Sequence, residues 1–249
     1  MRPPCQAGGR NTQFTRDNMI TAALDTSFGM AFAVQEDGRL VGHAQQPFRG
    51  RHTDEDMAPW IHELLADAGL SLSAVVRWTV GIGPGSFTGI RIGVAFVKGV
   101  CMQTGAAYRG IPTSLALARA VSEGLKVGDQ IAVLHDARRG QLICSRYAVQ
   151  THCRLEETTP AAVLDGEEIE NICANAARLV TNQPDRVTPI MAPSLRNRLT
   201  AMDHVPARLL LDPPGYPWPA TLSAQENTCE PVYVRPAVFV KPRQPHAIS

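Results

Sequence analysis

The residues with the clearest chemical potential form a glycine-rich segment, Gly81-Ile82-Gly83-Pro84-Gly85-Ser86-Phe87-Thr88-Gly89-Ile90-Arg91-Ile92-Gly93. Glycines permit positive φ and close backbone approach, and a helix that starts after them offers free N–H groups to an anion. The segment lacks the lysine of a P-loop, and Ser86 stands where a dinucleotide fingerprint needs its third glycine. The spacing therefore favours a tight strand-to-helix turn packed against another backbone, with Ser86 and Thr88 as helix caps.

Acidic residues close two predicted strands. Asp25 begins an Asp-Thr-Ser run and is either the relic of a carboxylate beside a metal or phosphate or a structural turn residue, since such a run can cap its own turn through side-chain hydrogen bonds. Asp136 precedes Arg138 and Arg139, and such a cluster either holds an anion or, more commonly, forms an internal ion pair. We expect Cys101 to be an inert, buried thiol.

The histidines argue against a metal site. No two of the seven lie within four residues of one another, whereas a helical ligand pair needs i, i+3 or i, i+4 spacing. His62 would need a second histidine where Ala66 stands, so we predict an exposed helix residue there. The chain also lacks the G-x-S-x-G motif of a nucleophile elbow. We therefore predict no metal ligands and no catalytic residues.

Apolar periodicity indicates an α/β chain that would position these groups. We predict strands over 19–25, 29–35, from 39, 75–82, 130–136, 141–149 and 153–158, and helices over 53–69, 88–104, 114–124 and 167–179. An Asp37-Gly38 turn predicts a hairpin between the second and third strands. The predicted domains are a polar extension over 1–18, a first subdomain over 19–125, a second, Pro-rich one over 126–240, and a tail over 241–249.

The helix predicted over 88–104 is apolar on two faces. Ile90, Val94, Val97 and Cys101 form one face, and Ile92, Phe96 and Val100 form the other. Such a helix lies either between a sheet and a second partner or wholly inside one chain, and periodicity does not separate the two.

Composition describes an ordinary globular chain. Of the 249 residues, 44% are apolar and 19% are charged, and the net charge of +1 gives no electrostatic case for general binding to nucleic acids or membranes. Six cysteines occur without any C-x-x-C spacing, which favours a reducing, cytoplasmic setting. No apolar run approaches the roughly 20 residues of a membrane span.

Four segments, in this order, closely resemble the signature of the TsaB (YeaZ-like) proteins. They are Leu24-Asp25-Thr26-Ser27, the glycine-rich segment, Asp136-Ala137-Arg138-Arg139-Gly140 and Pro231-Val232-Tyr233-Val234-Arg235, and Arg51-His52-Thr53 is similar too. The motif residues are Gly83, Pro84, Gly85, Ser86, Phe87, Thr88, Gly89, Arg91, Gly93, Tyr233 and Arg235. The resemblance implies an α/β fold of the actin/Hsp70-like (ASKHA) ATPase superfamily, with two RNase H-like halves and a reduced second half.

The same resemblance implies a non-catalytic scaffold for threonylcarbamoyl transfer to adenosine 37 of tRNAs that read ANN codons. The implied partners are the catalytic paralogue TsaD, the ATPase TsaE and, in a homodimer, a second copy, with tRNA reached only through the complex. No cofactor is expected to bind tightly, because ATP and Mg²⁺ are used by the partner proteins.

The resemblance also implies where these functions lie. The helices over 53–69 and 88–104 are expected to contact the partner, with Met57, Ile61, Leu65, Ile92, Phe96 and Val100 as interface candidates. Asp25, Thr26, Ser27, Gly83, Gly85, Ser86, Asp136 and Arg138 would line a vestigial cleft.

Two other classes of function compete with the scaffold. In the first, the chain would itself be an enzyme of this superfamily, either an active ATP-binding transferase or an M22-type metallopeptidase. In the second, it would be a homodimeric binding protein. The catalytic relatives carry an H-x-x-x-H pair after the glycine segment, and residues 109–117 contain no histidine, which argues against the peptidase.

Overall fold

The computed structural model describes residues 18–47 and 53–234, which form two five-stranded mixed sheets. The strands are β1 (Ile20–Asp25), β2 (Met30–Glu36), β3 (Arg39–Gln46), β4 (Arg77–Gly81), β5 (Ala107–Ile111), β6 (Gln130–Asp136), β7 (Leu142–Val149), β8 (Leu155–Leu164), β9 (Arg178–Thr181) and β10 (Leu199–Ala201). The helices are α1 (Thr53–Asp67), α2 (Phe87–Thr104), α3 (Thr113–Ala120), α4 (Gly166–Asn175), α5 (Pro184–Val187), α6 (Pro193–Arg196) and α7 (Leu222–Thr228).

The two sheets share one topology. The first has the strand order β3-β2-β1-β4-β5, and the second has the corresponding order β8-β7-β6-β9-β10. In both, the first strand of the half is antiparallel to the next strand along the chain and parallel to the fourth. Asp37 and Gly38, at φ 48° and 81°, make the hairpin turn predicted between β2 and β3.

Helices and sheets alternate in layers. α1 and α2 cover the outer face of the first sheet, where their apolar side chains pack around Phe32 and Trp78. α3 lies between the two sheets, with Leu115 and Leu117 packed among side chains of both. α4 covers the outer face of the second sheet through Ile169 and Cys173. The acidic ends of β1 and β6 consequently meet where the two halves join.

The C-terminal part of the described chain returns to the first sheet. α7 lies against the edge strand β5, where the Tyr108 N–H donates to Gln225 Oε1 at 2.8 Å and the Gly110 N–H to Thr228 Oγ1 at 3.0 Å. Beyond α7, the Val232 N–H donates to the Ile82 carbonyl at 2.8 Å. Within the range predicted as the second subdomain, 126–240, residues 225–232 thus contact the first sheet.

Other differences from the predicted elements are local. β5, β9 and β10 were not predicted, and the helix expected over 167–179 ends at Asn175. The predicted extension, apart from Asn18, lies outside the described residues, as do Arg51, His52, Arg235 and the tail over 241–249. None of the described helices combines the length and apolar character that crossing a membrane would require.

Candidate functional site

The carboxylate of Asp25 lies at the end of β1, buried where the two halves meet. Its Oδ1 accepts a hydrogen bond from the Ser27 N–H at 2.9 Å, and its Oδ2 accepts one from Thr113 Oγ1 at 2.5 Å. The hydroxyls of Ser27 and Thr113 are 2.8 Å apart, and Thr113 Oγ1 also accepts from the Gly83 N–H at 3.0 Å. The polar atoms around Asp25 are thus bonded to one another.

Burial is the main influence on the acidity of this carboxyl group. Removal from water raises the pKa of Asp25 above 3.8, and the hydrogen bonds from Thr113 and Ser27 oppose that effect. Of the two roles left open for Asp25, relic of a phosphate or metal site and structural turn residue, the observed bonds match the turn residue.

The glycine-rich segment packs as the sequence predicts, with each key glycine touching another backbone or a short side chain. A Cβ on Gly81 would overlap Asp25 Oδ2, and one on Gly85 would lie 2.5 Å from the Ser27 Cβ. A Cβ on Gly93 would strike Thr26, whose hydroxyl donates to the Gly89 carbonyl at 2.7 Å. These glycines therefore let the β4–α2 turn and the first turns of α2 close onto the Asp25–Ser27 loop.

One of the two predicted helix caps of α2 is confirmed, Ser86, whereas Thr88 is wrong as a cap because it lies inside the helix. Ser86 is the N-cap residue, and its Oγ accepts from the Gly89 N–H at 3.2 Å. Thr88 lies exposed on the first turn. Cys101 and His62 take their predicted places, the first buried and the second on the surface of α1.

At the end of β6, Asp136 forms an internal ion pair, but with a residue that the sequence did not single out. Its Oδ2 lies 3.5 Å from Arg186 Nη1, while its Oδ1 accepts from the backbone N–H of Arg138 at 2.7 Å. The Arg138 and Arg139 side chains point to solvent. The vestigial-cleft residues are thus brought together, although Arg138 contributes its backbone to Asp136.

Phe28 and His135 fill the space between the two loops. Their rings stack with centroids 4.8 Å apart and an interplanar angle of 17°. Burial lowers the pKa of His135 to about 4, so its ring is neutral at pH 7. Phe28 lines two cavities, one of about 410 Å³ beside Asp25 and His204, the other of about 350 Å³ beside Ser86 and Arg138.

The two titratable side chains at the join are engaged by neighbouring residues. Asp25 is held by hydroxyl and amide donors, and His135 stacks on the ring of Phe28. Within residues 18–47 and 53–234, no three His, Cys, Asp or Glu side chains come close enough together to hold a metal ion. The polar groups at the join between the halves mainly hold the two loops in register.

The six interface candidates on α1 and α2 are all at least half-buried in the single chain. Met57, Ile61 and Leu65 are buried against the first sheet, and Val100 is buried as well, so these side chains do not face outward. Ile92 and Phe96 are half-buried, with Phe96 packed edge-on against Trp78 at 6.2 Å. The exposed residues of α2 include instead Ala95, Gly99 and Met102, the last 86% exposed, together with Phe87, Thr88, Arg91 and Gln103. Alanine and glycine gave no apolar signal, so periodicity alone missed this face.

Arg109 is a buried residue that sequence reasoning also missed. Its guanidinium, only 2% exposed, donates to the carbonyls of Leu211, at 2.6 Å, and Tyr216. Trp218 covers it, with the guanidinium carbon 3.9 Å from the ring centroid. These two carbonyl partners lie more than 100 residues away along the chain, so local spacing could not reveal them.

Two sheets of equivalent strand order, enclosing one helix and flanked by others, define an α/β fold of the ASKHA type with two halves. A solved structure of YeaZ from Pseudomonas aeruginosa has the same fold, with a TM-score of 0.63 and 24% identity over 86% of this chain and 99% of that one. Residues 46–185 match the model of the family described as TsaD, tRNA N6-adenosine threonylcarbamoyltransferase. The chain belongs to this family and is a TsaB/YeaZ-like member of it.

Curated relatives extend the comparison. The tRNA threonylcarbamoyladenosine biosynthesis protein TsaB of Haemophilus influenzae is 34% identical over 130 residues, which are 52% of this chain and 54% of that protein. The TsaB of Escherichia coli is 29% identical over 130 residues, 52% of this chain and 55% of that protein. The chain thus spans about half the length of the curated relatives it matches.

Proposed function

We propose that this chain is a non-catalytic supporting subunit in the formation of N6-threonylcarbamoyladenosine at position 37 of tRNA. The relatives in Haemophilus influenzae and Escherichia coli are described as proteins of this biosynthesis. In this proposal the transfer takes place on a TsaD-type partner, TsaE joins the complex, and ATP and Mg²⁺ act on those proteins. The contribution of this chain is to bind the TsaD-type partner and stabilise it.

The observation that carries the proposal is an exposed strip on α2, formed by Ala95, Gly99 and Met102, which we call the α2 strip. A Cβ built on Gly99 meets nothing within 4 Å, so the helix backbone itself is accessible there. Half-buried Ile92 and Phe96 border the strip on its apolar side. Small residues let a second helix approach to the roughly 8–10 Å of close helix packing, and an exposed apolar strip is typical of an interaction surface.

The contacts where the two halves join favour a non-catalytic role of this chain over an enzymatic one. The buried polar groups at this join, Asp25, Ser27 and Thr113, hydrogen-bond to one another. Phe28 and His135 stack in the space between the loops. Equilibrium titration of the isolated chain with ATP and Mg²⁺ separates the two classes. Tight binding with phosphate release would favour the ATP-binding transferase instead.

Ala95→Arg tests the α2 strip. The substitution places a long charged side chain on the strip while leaving the core intact, because Ala95 is exposed. We expect it to weaken binding to the TsaD homologue of the same organism by about 2 kcal/mol or more, about 30-fold, which is seen as lost co-elution at concentrations near the dissociation constant of the unmodified complex. Phe96→Asp, the obvious choice from sequence, is less suitable because Phe96 packs on Trp78 and its loss damages the core.

The matched control is Ala174→Arg, an exposed alanine on α4 at the opposite side of the molecule. It should co-elute with the TsaD homologue like the unmodified chain. Co-elution of a folded Ala95→Arg variant would show that α2 does not form the interface. A second copy of the chain fits the same strip, so a homodimer that dissociates when the TsaD homologue is added agrees with the proposal.

An omission assay tests the function itself. TsaC, TsaD and TsaE of the same organism are supplied with ATP, Mg²⁺, threonine, bicarbonate and tRNA, and modified nucleoside is measured with and without this chain. Product that requires both this chain and TsaD supports the proposal. Product formed equally well without this chain contradicts it.

A further inference from the structure

A second surface feature, separate from the α2 strip, is a groove of about 660 Å³. It runs between the first turn of α2, the loop after β6 and the C-terminal segment around Tyr233. Its sides carry two aromatic rings and two arginines, Phe87, Tyr233, Arg138 and Arg139, which we call the aromatic–arginine groove. The proposed function assigns no role to any of these side chains.

The two rings lie side by side, and we call the pair the aromatic platform. Their centroids are 5.0 Å apart and their planes are tilted by 41°, so a base stacks on one ring and meets the other at an angle. The Arg91 guanidinium carbon lies 3.7 Å from the centroid of the Phe87 ring. Arg91 Nε also donates to the Tyr233 hydroxyl at 2.9 Å, so the same arginine contacts both rings. Phe87 and Tyr233 nevertheless remain 40% and 46% exposed, so the platform presents aromatic surface to solvent.

The arginines leave the groove positively charged. Asp136, the only acidic side chain among its described lining residues, pairs with Arg186 and accepts from the Arg138 backbone. Within residues 18–47 and 53–234, no carboxylate lies within 4 Å of the guanidinium of Arg138 or Arg139. The positive charge is therefore local, although the whole chain carries a net charge of only +1.

The backbone of the loop after β6 has two non-glycine residues with positive φ, a feature typical of binding sites. Arg138 and Arg139 have φ of 63° and 56°, the left-handed region that costs energy for residues with a side chain. Non-glycine residues held in this region cluster at binding and switching sites. The fold thus maintains an unfavourable loop conformation that projects two unpaired guanidinium groups beside an exposed aromatic platform.

We propose that the aromatic–arginine groove binds single-stranded RNA, with one unpaired base stacked on the Phe87–Tyr233 platform and neighbouring phosphates on Arg138 and Arg139. Stacking surfaces beside a positively charged groove are how proteins hold single-stranded nucleic acids. An acidic peptide would satisfy the arginines but leave the aromatic rings unused. The inference rests on the proposed function, in which the complex acts on tRNA, and gives this chain its own contact with that RNA.

The test is fluorescence anisotropy of a fluorescein-labelled, nine-nucleotide oligouridylate titrated with the full chain at about 50 mM salt, where phosphate contacts are strong. With so few contacts we expect a dissociation constant of order 10⁻⁴–10⁻⁶ M. Phe87→Leu should weaken binding about 5- to 150-fold, the range for one stacked base. Tyr233→Phe keeps the ring and should bind within about threefold of the unmodified chain, whereas Tyr233→Leu should not.

The arginines have a separate signature. Arg138→Gln and Arg139→Gln should each reduce the salt dependence of binding, lowering the slope of log K against log salt by about 0.7 per lost phosphate contact. The matched control is Arg178→Gln, an exposed arginine where β9 begins, at the other end of the second sheet. This control should leave affinity and slope unchanged.

Comparison with a duplex isolates the stacking contact. A twelve-base-pair RNA duplex hides its base faces, so Phe87→Leu should weaken binding of the oligouridylate but not of the duplex. Equal losses for both probes, or no oligouridylate binding at low salt, would overturn the inference. Loss of co-elution with the TsaD homologue in Arg138→Gln or Phe87→Leu would also overturn it, by showing a protein contact instead.

The two proposals fail separately. RNA binding is measured on this chain alone, whereas the omission assay requires TsaD and TsaE. A chain that binds oligouridylate through the groove but does not support nucleoside formation would refute the proposed function only. If the Phe87→Leu and Arg138→Gln variants support nucleoside formation as well as the unmodified chain at limiting tRNA, only the RNA-binding role of the groove would be refuted.

Discussion

Replacing the buried Arg109 should destabilise the protein more than replacing any exposed arginine. Arg109 stands on the edge strand β5 of the first sheet, and its guanidinium donates to the carbonyls of Leu211 and Tyr216 in the returning segment. Thr79 on β4 accepts from its Nε at 3.2 Å. One side chain therefore joins the first sheet to a stretch of chain that has no regular structure of its own beyond short turns.

The size of the loss follows from these partners. Arg109→Met leaves two buried carbonyls without their charged donor, at about 1–3 kcal/mol each. Burial lowers the pKa of Arg109 to about 10, so the side chain is charged at pH 7 and its removal relieves part of a desolvation cost. The Asp212 ion pair adds little because that carboxylate is half exposed. We expect a net loss of about 3 kcal/mol.

Urea denaturation followed by circular dichroism measures this change. Arg109→Lys should lose about half as much, since an ammonium keeps the charge but cannot span both carbonyls as the planar fork does. Arg39→Met is the matched control, because the Arg39 side chain is 74% exposed, and it should stay within about 0.5 kcal/mol. If Arg109→Met matched this control, the argument from stranded carbonyls would be refuted.

Two further predictions concern the Asp25 loop. Because burial raises the pKa of Asp25, the unmodified chain should lose stability relative to Asp25→Asn as pH rises from about 4 through the folded-state pKa, by at most about 1.4 kcal/mol per pH unit. Urea midpoints of both proteins between pH 4 and 8 measure the difference, and a constant difference would contradict the raised pKa. Gly81→Ala should cost about 3 kcal/mol or more in thermal denaturation, because its Cβ would overlap Asp25 Oδ2, whereas Gly99→Ala, which faces open space, should gain about 0.5–1 kcal/mol. Equal stability of the two alanine variants would show that the Asp25 loop moves to accommodate a Cβ at position 81 without loss of folding free energy.

The sequence predicts the parts of the fold that depend on local pattern. Alternation and turn residues place β1, β2, β3 and β6 within one residue of where they lie. β5 escaped prediction because it is short and contains Arg109 and Gly110, a charged residue and a weak strand former. Arg109 and Gly110 are both explained by contacts with residues after 200, and a pattern in the local sequence does not predict such distant contacts.

The candidate site divides in the same way. Close packing of the glycine-rich segment was predictable from the sequence, because glycine has no side chain and lets a second backbone approach closely. The pairing of Asp136 with Arg186 was not, since the two are 50 residues apart and Arg138 is nearer along the chain. The outward face of α2 was misjudged for a different reason. Large apolar residues usually mark a buried face, whereas the α2 strip consists of two small residues, Ala95 and Gly99, and one exposed large one, Met102.

The cover that α7 provides for β5 has a consequence during synthesis. β5 is an edge strand, and a row of unpaired N–H and C=O groups on such a strand invites pairing with another chain. Gln225 and Thr228 satisfy two of these groups, but Gln225 is translated 117 residues after Tyr108. At about 5–20 residues per second, the first sheet would emerge from the ribosome and wait roughly 6–23 s with this edge open. A ribosome-bound nascent chain stalled before residue 222 should therefore be the form most in need of a chaperone, and the most prone to join its neighbours on a polysome.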